Sequence, residues 1–491
     1  MNLPAVATRY AAIVDDPLAF AEASRRPLPH FLWTNTLRTS PGALADRLRA
    51  DGFEPSPLPW NPEAFRVPAH QAGLGRHWTY LAGHFQIQEA SAMIPVLALG
   101  PRPDERVLDL CAAPGNKTVQ CAVAMRNRGT VVGNDLVCGR LSPLRQSVDR
   151  LGLFNVTISC HDGVNFPGRG GLFDRVLVDA PCSCEGTGRR HADVNQRLAV
   201  PYDRFRRKQS LLLAQAVRRC RPGGRIVYST CTYAPEENEA VVDETLKRFE
   251  HRVRLIPFDA PGLKTTPGLT AWQGQTFDAS LARTRRVWPH HNDSGGFYIA
   301  LFERFGDDPD LEPALPVAER PRGAPVGALQ HRSARPQAIL EQVTERFGIP
   351  CGAFDGLEML ENGAQVAFLV VGGHRPPHLP EQTSGLKFMH LRPRFPILTT
   401  GAAAAFGPLA TRNVIAVTAG QRDAYLRRAP FTPDTRQLAD CQGTGYVLVR
   451  YHDSVLGLGF FGTDQGQVAS LFPKSMALGK EETENGELET G

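Results

Sequence analysis

Arg106-Val-Leu-Asp-Leu-Cys-Ala-Ala-Pro-Gly-Asn-Lys-Thr118 decides the fold. A short apolar run ending in an acid, then a loop of small residues with one glycine, reads as a buried strand turning into a helix, here one running to Arg126. The same unit recurs downstream. Thr130–Gly133 is the next strand, ending at Asn134-Asp135, and a helix follows over Arg140–Leu151. Val156–Ser159 ends near His161-Asp162, and Phe173–Val178 ends at Asp179. A helix over Arg204–Arg219 precedes a strand over Gly223–Ser229. Strands alternating with helices predict a parallel sheet covered on both faces, with its ligand at the carboxyl ends of the strands where their order reverses.

Four aspartates, Asp109, Asp135, Asp162 and Asp179, fall at or just past such ends. Aspartate also caps helices, a sufficient reading for any one of them but less so for four in successive units. The loop after the first strand lacks the Gly-x-Gly-x-x-Gly turn that cradles a pyrophosphate, and it is not a Walker loop. An acid after the second strand suits a pair of ribose hydroxyls. Together these fit a nucleoside without phosphates, and S-adenosylmethionine is the expected cofactor.

Working outward, 491 residues exceed one ordinary core. Composition divides the chain into an N-terminal region at 1–102, the strand–helix region at 103–305, a Pro-, Asp- and Arg-rich linker at 306–337, a strand-rich region at 338–477 and an acidic tail at 478–491. With 42% hydrophobic and 21% charged residues the chain reads as globular. No apolar run reaches the roughly 18–20 residues that span a bilayer, and Met1–Asp16 lacks signal-peptide character. A cytoplasmic protein is expected, without membrane partners. Net charge is +5, and Glu481–Gly491 alone carries five glutamates and no base, so the remainder is near +10, as suits a polyanion partner.

Ten cysteines do not form a disulfide framework in this reading. Cys111, Cys121, Cys138, Cys160 and Cys220 lie among apolar or small residues and are expected as free thiols. Cys182 and Cys184 are one residue apart, with no partner pair at zinc-finger spacing, so no metal site is expected.

Asp109-Leu-Cys-Ala-Ala-Pro-Gly-Asn-Lys117, Asp179-Ala-Pro-Cys-Ser-Cys-Glu-Gly-Thr187 and Tyr228-Ser-Thr-Cys-Thr-Tyr-Ala-Pro-Glu-Glu-Asn-Glu239 resemble, in that order, the motifs of the Sun-type (Nol/Nop/Sun) RNA cytosine-5 methyltransferases. Gln88-Glu-Ala-Ser91 and Arg286-Val-Trp-Pro-His-His-Asn-Asp-Ser-Gly-Gly-Phe297 agree on either side. The resemblance covers about 26–304 and is nearest the RsmF type, which acts on small-subunit (16S) ribosomal RNA.

It implies an α/β fold: a Rossmann-like S-adenosylmethionine-dependent methyltransferase domain, an N-terminal RNA-binding segment and a C-terminal small β-barrel (PUA-like) domain. By the same resemblance the backbone of Cys111, Ala112, Ala113, Pro114 and Gly115, with Lys117, contacts the cofactor. Asp135 holds the ribose, Asp162 the adenine edge, and Asp179 the methionine end or the target base, with Arg140 beside the site. Cys231 is the nucleophile and Cys182 the thiol that assists product release, with Asp179 and Lys117 completing the catalytic set. Cys184 is a third thiol where the family commonly has small residues.

The chemistry asks for such a pair. Carbon-5 of cytosine is a poor nucleophile until a thiolate adds to carbon-6 and breaks the ring's aromaticity. The carbon-5 proton must then leave before the thiol is expelled. Asp179, at ring N3, would stabilise charge in the adduct. Each cysteine alone reads more readily as an inert buried thiol, but Arg189 and Arg190 after Cys182 would favour thiolate. The roles could be exchanged, because DNA cytosine-5 methyltransferases attack from a Pro-Cys pair; resemblance to the RNA branch assigns attack to Cys231.

Arg189, Arg190, Arg204, Arg206, Arg207 and Lys208 are read as phosphate contacts, against a merely solvated face. The basic and aromatic stretch Arg25–Arg38 lies where the family meets RNA. Strand runs at 445–450, 456–459 and 471–475, with Gly385-Leu-Lys387, resemble the PUA-like end. A monomer is expected, acting on ribosomal RNA or the small subunit. Transfer RNA methylation and a non-catalytic RNA-binding assembly factor are the rival readings.

Overall fold

In the computed structural model, residues 5–167, 173–191, 200–306, 335–362, 366–373, 382–391 and 397–479 are described. Most of the expected linker and nearly all of the acidic tail lie outside them.

The central element is a ten-stranded sheet. Its first strands are β1 (Arg106–Asp109), β2 (Thr130–Asn134), β3 (Val156–Ser159), β4 (Phe173–Asp179) and β5 (Cys220–Thr230). They are followed by β6 (Val253–Leu255), β7 (Thr266–Pro267), β8 (Arg285–Val287), β9 (Phe297–Arg304) and β10 (Thr383–Ser384). The spatial order is β7-β8-β9-β5-β4-β1-β2-β3-β10, with β6 beside β9. β1 to β5 are mutually parallel and β9 returns antiparallel on β5.

The order reverses at β1, which has β2 on one side and β4 on the other, so the crevice lies at the ends of β1 and β4. Helices α1 (Asn116–Ala124), α2 (Ser142–Leu151), α3 (Tyr202–Arg219) and α4 (Glu239–Arg248) cover the sheet. One apolar core includes Val107, Val131 and Leu144; the other, on the opposite face, includes Leu108, Val132 and Tyr228. Adjacent strand residues thus serve opposite faces, as buried parallel strands require. No helix among the described residues is long and apolar enough to cross a membrane.

Rich in Pro and Arg, the N-terminal region reads from sequence as mixed helix and loop, and the structure corrects this. His30–Thr34, Ser56–Leu58, Asn61–Val67 and Phe85–Ile87 form a four-stranded antiparallel sheet. Its strands are short and Pro57 and Pro62 interrupt the pattern, so only pairing between distant segments defines it. The aromatic residues of the stretch expected near RNA are core: Phe31 is 2% exposed and Trp33 3%.

Beyond residue 335 lie two four-stranded sheets rather than one run of strands. The first comprises Leu357–Asn362, Val366–Val371, Leu386–His390 and Ile397–Leu398; the second, Val414–Ala416, Gly445–Tyr451, Ser454–Gly462 and Gln467–Ser470. This half docks on the rest through sequence-distant contacts. β10 extends the main sheet beside β3, and the Asp149 carboxylate accepts the Lys387 N–H. Trp78 packs edge-on against Tyr451, and Arg47 pairs with Asp453 at 2.7 Å.

Candidate functional site

A cavity of about 260 Å³ opens at the ends of β1, β4 and β5. Its walls include Asp109, Cys111, Ala112, Ala113, Pro114, Lys117, Asp179, Cys231 and Phe297. The loop after β1 reaches it because Gly115 takes φ +115° and sits against α2: a Cβ there would lie 2.6 Å from Leu144 Cβ. Lys117, in the first turn of α1, projects across to Asp179, with Nζ 2.6 Å from Oδ2, while Oδ1 accepts the Ser229 hydroxyl at 2.9 Å. The ammonium also lies 5.2 Å from the centre of the Phe297 ring. Burial would lower the pKa of Lys117, but Asp179, with Asp109 and Cys231, raises it overall, so the lysine stays charged.

The two cysteines meet, their sulfurs 3.4 Å apart. Cys182 is buried and Cys231 half-buried on the cavity wall. The loop carrying Cys182 is tied to the loop carrying Cys231 by Ser183 Oγ to Thr232 Oγ1 at 2.7 Å and by the Gly186 N–H to the Cys231 carbonyl at 2.8 Å. Glu237 accepts the Ser183 N–H at 3.1 Å.

The thiolate expectation built on the arginines is overturned. The Arg189 side chain is 2% exposed and clamps other chain segments, donating to the Arg26, Pro27 and Ser294 carbonyls and to Asp293. The hydrogen bond with Cys182 lowers the Cys231 pKa, but Cys184, burial and Asp179 together hold it well above the ordinary thiol value. Hydrogen bonds with Cys184 and Cys231, then burial, push Cys182 up as well. Lys117, which the loop motif already contained, shares the cavity wall with Cys231.

Asp135, Arg140 and Asp162 do not line this cavity. Asp135 is 5% exposed and accepts the Ala113 and Val137 N–H groups, with Arg140 3.5 Å away. It therefore braces the β1 loop from the far side. Both Asp162 oxygens accept bonds within its own turn, from Val164 N–H and Asn165 Nδ2, the capping role open to any aspartate. Asp109, at the switch point, keeps Oδ1 buried without a hydrogen-bond partner, and burial raises its pKa to about 7. The cavity wall sets Glu89, Asp109 and Asp179 beside Lys117, Arg189 and Arg190.

Two expected free thiols are not free: Cys138 and Cys160 form a disulfide. They lie just past β2 and β3, which the sheet makes neighbours. Neither occupies the core, unlike Cys121 and Cys220. Sequence reading also missed Ser229 as a partner of Asp179; its place at the end of β5 was the available signal.

The family described as 16S rRNA methyltransferase RsmB/F matches residues 96–303. A ribosomal RNA small subunit methyltransferase F from Aeromonas salmonicida is 30% identical over 451 residues, covering 90% of this chain and 89% of that protein. The chain belongs to the RsmB/F family. A tRNA (cytosine(49)-C(5))-methyltransferase from Pyrococcus abyssi is 35% identical over 301 residues, covering 60% of this chain and 94% of the other. A mouse 28S rRNA (cytosine-C(5))-methyltransferase is 39% identical over 297 residues, 59% of this chain, which spans only 37% of that longer relative. The crystal structure of a methyltransferase homologue from Pyrococcus horikoshii superposes with TM-score 0.52 at 31% identity, covering 62% of this chain and all of the other. The RsmB/F fold is that of S-adenosylmethionine-dependent methyltransferases, and the motifs around Lys117, Asp179 and Cys231 lie inside the matched span.

Proposed function

We propose that the chain is an S-adenosylmethionine-dependent RNA cytosine-5 methyltransferase in which Cys231 attacks carbon-6 of a cytosine in small-subunit ribosomal RNA. The observation that carries the assignment is the asymmetry of the thiols. Cys231 shares the cavity wall with Lys117 and Asp179, whereas Cys182 stands behind it in sulfur contact.

A cytosine flipped from its stack enters the cavity. Asp179, oriented by Lys117 and Ser229, receives the ring at N3 and stabilises it as Cys231 adds. Lys117 favours the thiolate that this step needs. The Cys111–Pro114 loop on the cavity wall would hold the cofactor, with Asp135 and Asp162, which lie outside that cavity, meeting its ribose and adenine only where it extends past the loop; when bound it would supply the methyl group. Cys182, 3.4 Å behind the attacking sulfur, assists elimination as the carbon-5 proton leaves.

The C-terminal region is proposed as the PUA-like RNA-binding domain and residues 5–102 as the other RNA-facing segment. Arg204, Arg207 and Lys208 present an exposed basic face on α3. Ribosomal RNA is favoured over transfer RNA because the match to the small-subunit enzyme runs through 90% of this chain and the match to the tRNA enzyme through 60%. Wild type, Cys182→Ala and Cys231→Ala are incubated with tritiated S-adenosylmethionine and separate ribosomal and transfer RNA pools, then run on denaturing gels. Cys182→Ala should trap a protein–RNA adduct and Cys231→Ala should give neither adduct nor methyl transfer. Methylation by Cys231→Ala overturns the assignment, and labelling of transfer RNA alone overturns the substrate.

A further inference from the structure

Behind Cys231 and Cys182 lies a third sulfur that the proposed reaction does not use. The thiols of Cys182, Cys184 and Cys231 all lie within 4.8 Å of one another. Cys184 adopts φ +63°, a left-handed conformation that costs a non-glycine residue about 1 kcal/mol or more. This bend folds its sulfur back to within 3.3 Å of the Cys182 carbonyl oxygen. The bonds from Ser183 to Glu237 and Thr232, and from Gly186 to Cys231, hold the two loops together, so the sulfurs converge without a ligand to gather them.

We propose that Cys182, Cys184 and Cys231 form a three-thiolate site for a soft divalent metal ion such as Zn²⁺, completed by Cys184, which occupies the nucleophile and so competes with RNA. Zinc–sulfur bonds are about 2.3 Å long, which places tetrahedral sulfurs about 3.8 Å apart. The 3.4 Å separation of Cys182 and Cys231 is close to that spacing, and the remaining pairs need small rotations of the thiols. Binding releases the thiol protons to solvent. Three protein ligands leave a position for water, and Cys231 faces the cavity that would supply it. The other cluster of ligand type, Asp15 with His290 and His291, is less suited. The buried Nδ1 atoms of both histidines lack hydrogen-bond partners, whereas metal-bound histidines pass that proton to an acceptor.

Metal binding does not depend on the proposed methylation; competition with RNA does. The test titrates reduced, anaerobic full-length protein with Co²⁺, follows thiolate-to-metal charge-transfer and visible bands, and displaces the ion with Zn²⁺. One equivalent should bind with the spectrum of a multi-thiolate site. Cys184→Ser should weaken binding by at least about 100-fold, the upper effect of losing an outer-shell partner. Cys184→Gly, which accommodates the left-handed backbone, should do the same, whereas Cys351→Ser at an exposed thiol should not. In the methylation assay both Cys184 variants should need about 100-fold more Zn²⁺ than wild type for half-inhibition, each measured against its own metal-free rate. Absence of thiolate bands, or Cys184 variants that bind like wild type, overturns the proposal. Binding as expected in a protein that methylates no RNA overturns the proposed function and leaves the metal site standing.

Discussion

Replacing Arg286 by Met should unfasten two sequence motifs at once. The Arg286 guanidinium is 2% exposed and the Glu239 carboxylate fully buried. Nε reaches Glu239 Oε1 at 2.8 Å, Nη2 meets Oε2, and Nη1 donates to the Tyr233 carbonyl at 2.8 Å, two residues beyond Cys231. Leu269 N–H gives Glu239 one further bond. Methionine fills much of the volume but leaves a buried carboxylate without its countercharge, which costs roughly 3–5 kcal/mol. At about 2–4 °C per kcal/mol for a domain of some 200 residues, the melting temperature should drop by roughly 6–20 °C. Denaturant unfolding of wild type, Arg286→Met, Glu239→Met and the double variant separates charge from packing. The double variant removes both charges together, so it should recover most of the loss. A loss below about 1 kcal/mol for the single variant, or a double variant as unstable as the two singles combined, would refute the reasoning.

Three further outcomes are expected. Asp109 has its folded pKa raised to about 7, so its contribution to stability is fully present below about pH 4, where the unfolded carboxyl is also protonated, and is lost as pH rises to about 7. Melting curves of Asp109→Asn should lack about 4 kcal/mol of that decline relative to wild type across the window; parallel curves would exclude it. Gly186→Ala would bring a Cβ within 2.3 Å of the Gly296 carbonyl oxygen, forcing the Cys182 loop off its partner and cutting methyl transfer; an unimpaired variant with unchanged melting contradicts that close approach. Arg207→Ala with Lys208→Ala should weaken RNA binding and reduce the salt slope by about 1.4 for a single-stranded target, whereas a solvated face predicts no change.

The sheet was legible because each parallel strand is a continuous apolar run that ends in an acid and a turn, a pattern complete within one segment. β1 to β5 stand where the runs at 106–110, 130–133, 156–159, 173–178 and 223–229 put them, with ends that differ by at most three residues. What stayed hidden depends on pairing at a distance. The N-terminal sheet joins His30–Thr34 to Asn61–Val67 and Phe85–Ile87, and the disulfide needs β2 beside β3 before Cys138 can meet Cys160. Charge was misjudged for the same reason: Arg189 adjoins Cys182 in sequence but turns to hold Asp293, while Lys117, more than 60 residues away, arrives at Asp179.

The Pro-Cys and Thr-Cys dipeptides are symmetric as text, each a thiol after a β-rich run. The fold separates them. Glu237, from the same motif as Cys231, holds Ser183 and draws the Cys182 loop beneath its neighbour, leaving Cys231 on the cavity wall. The residues after Cys231 therefore keep the second thiol behind the first, and in the proposed reaction the Pro-Glu-Glu-Asn-Glu run acts through position rather than contact. Its last glutamate, Glu239, takes Arg286 from the flanking stretch that follows, so that stretch braces the loop on which Cys231 stands.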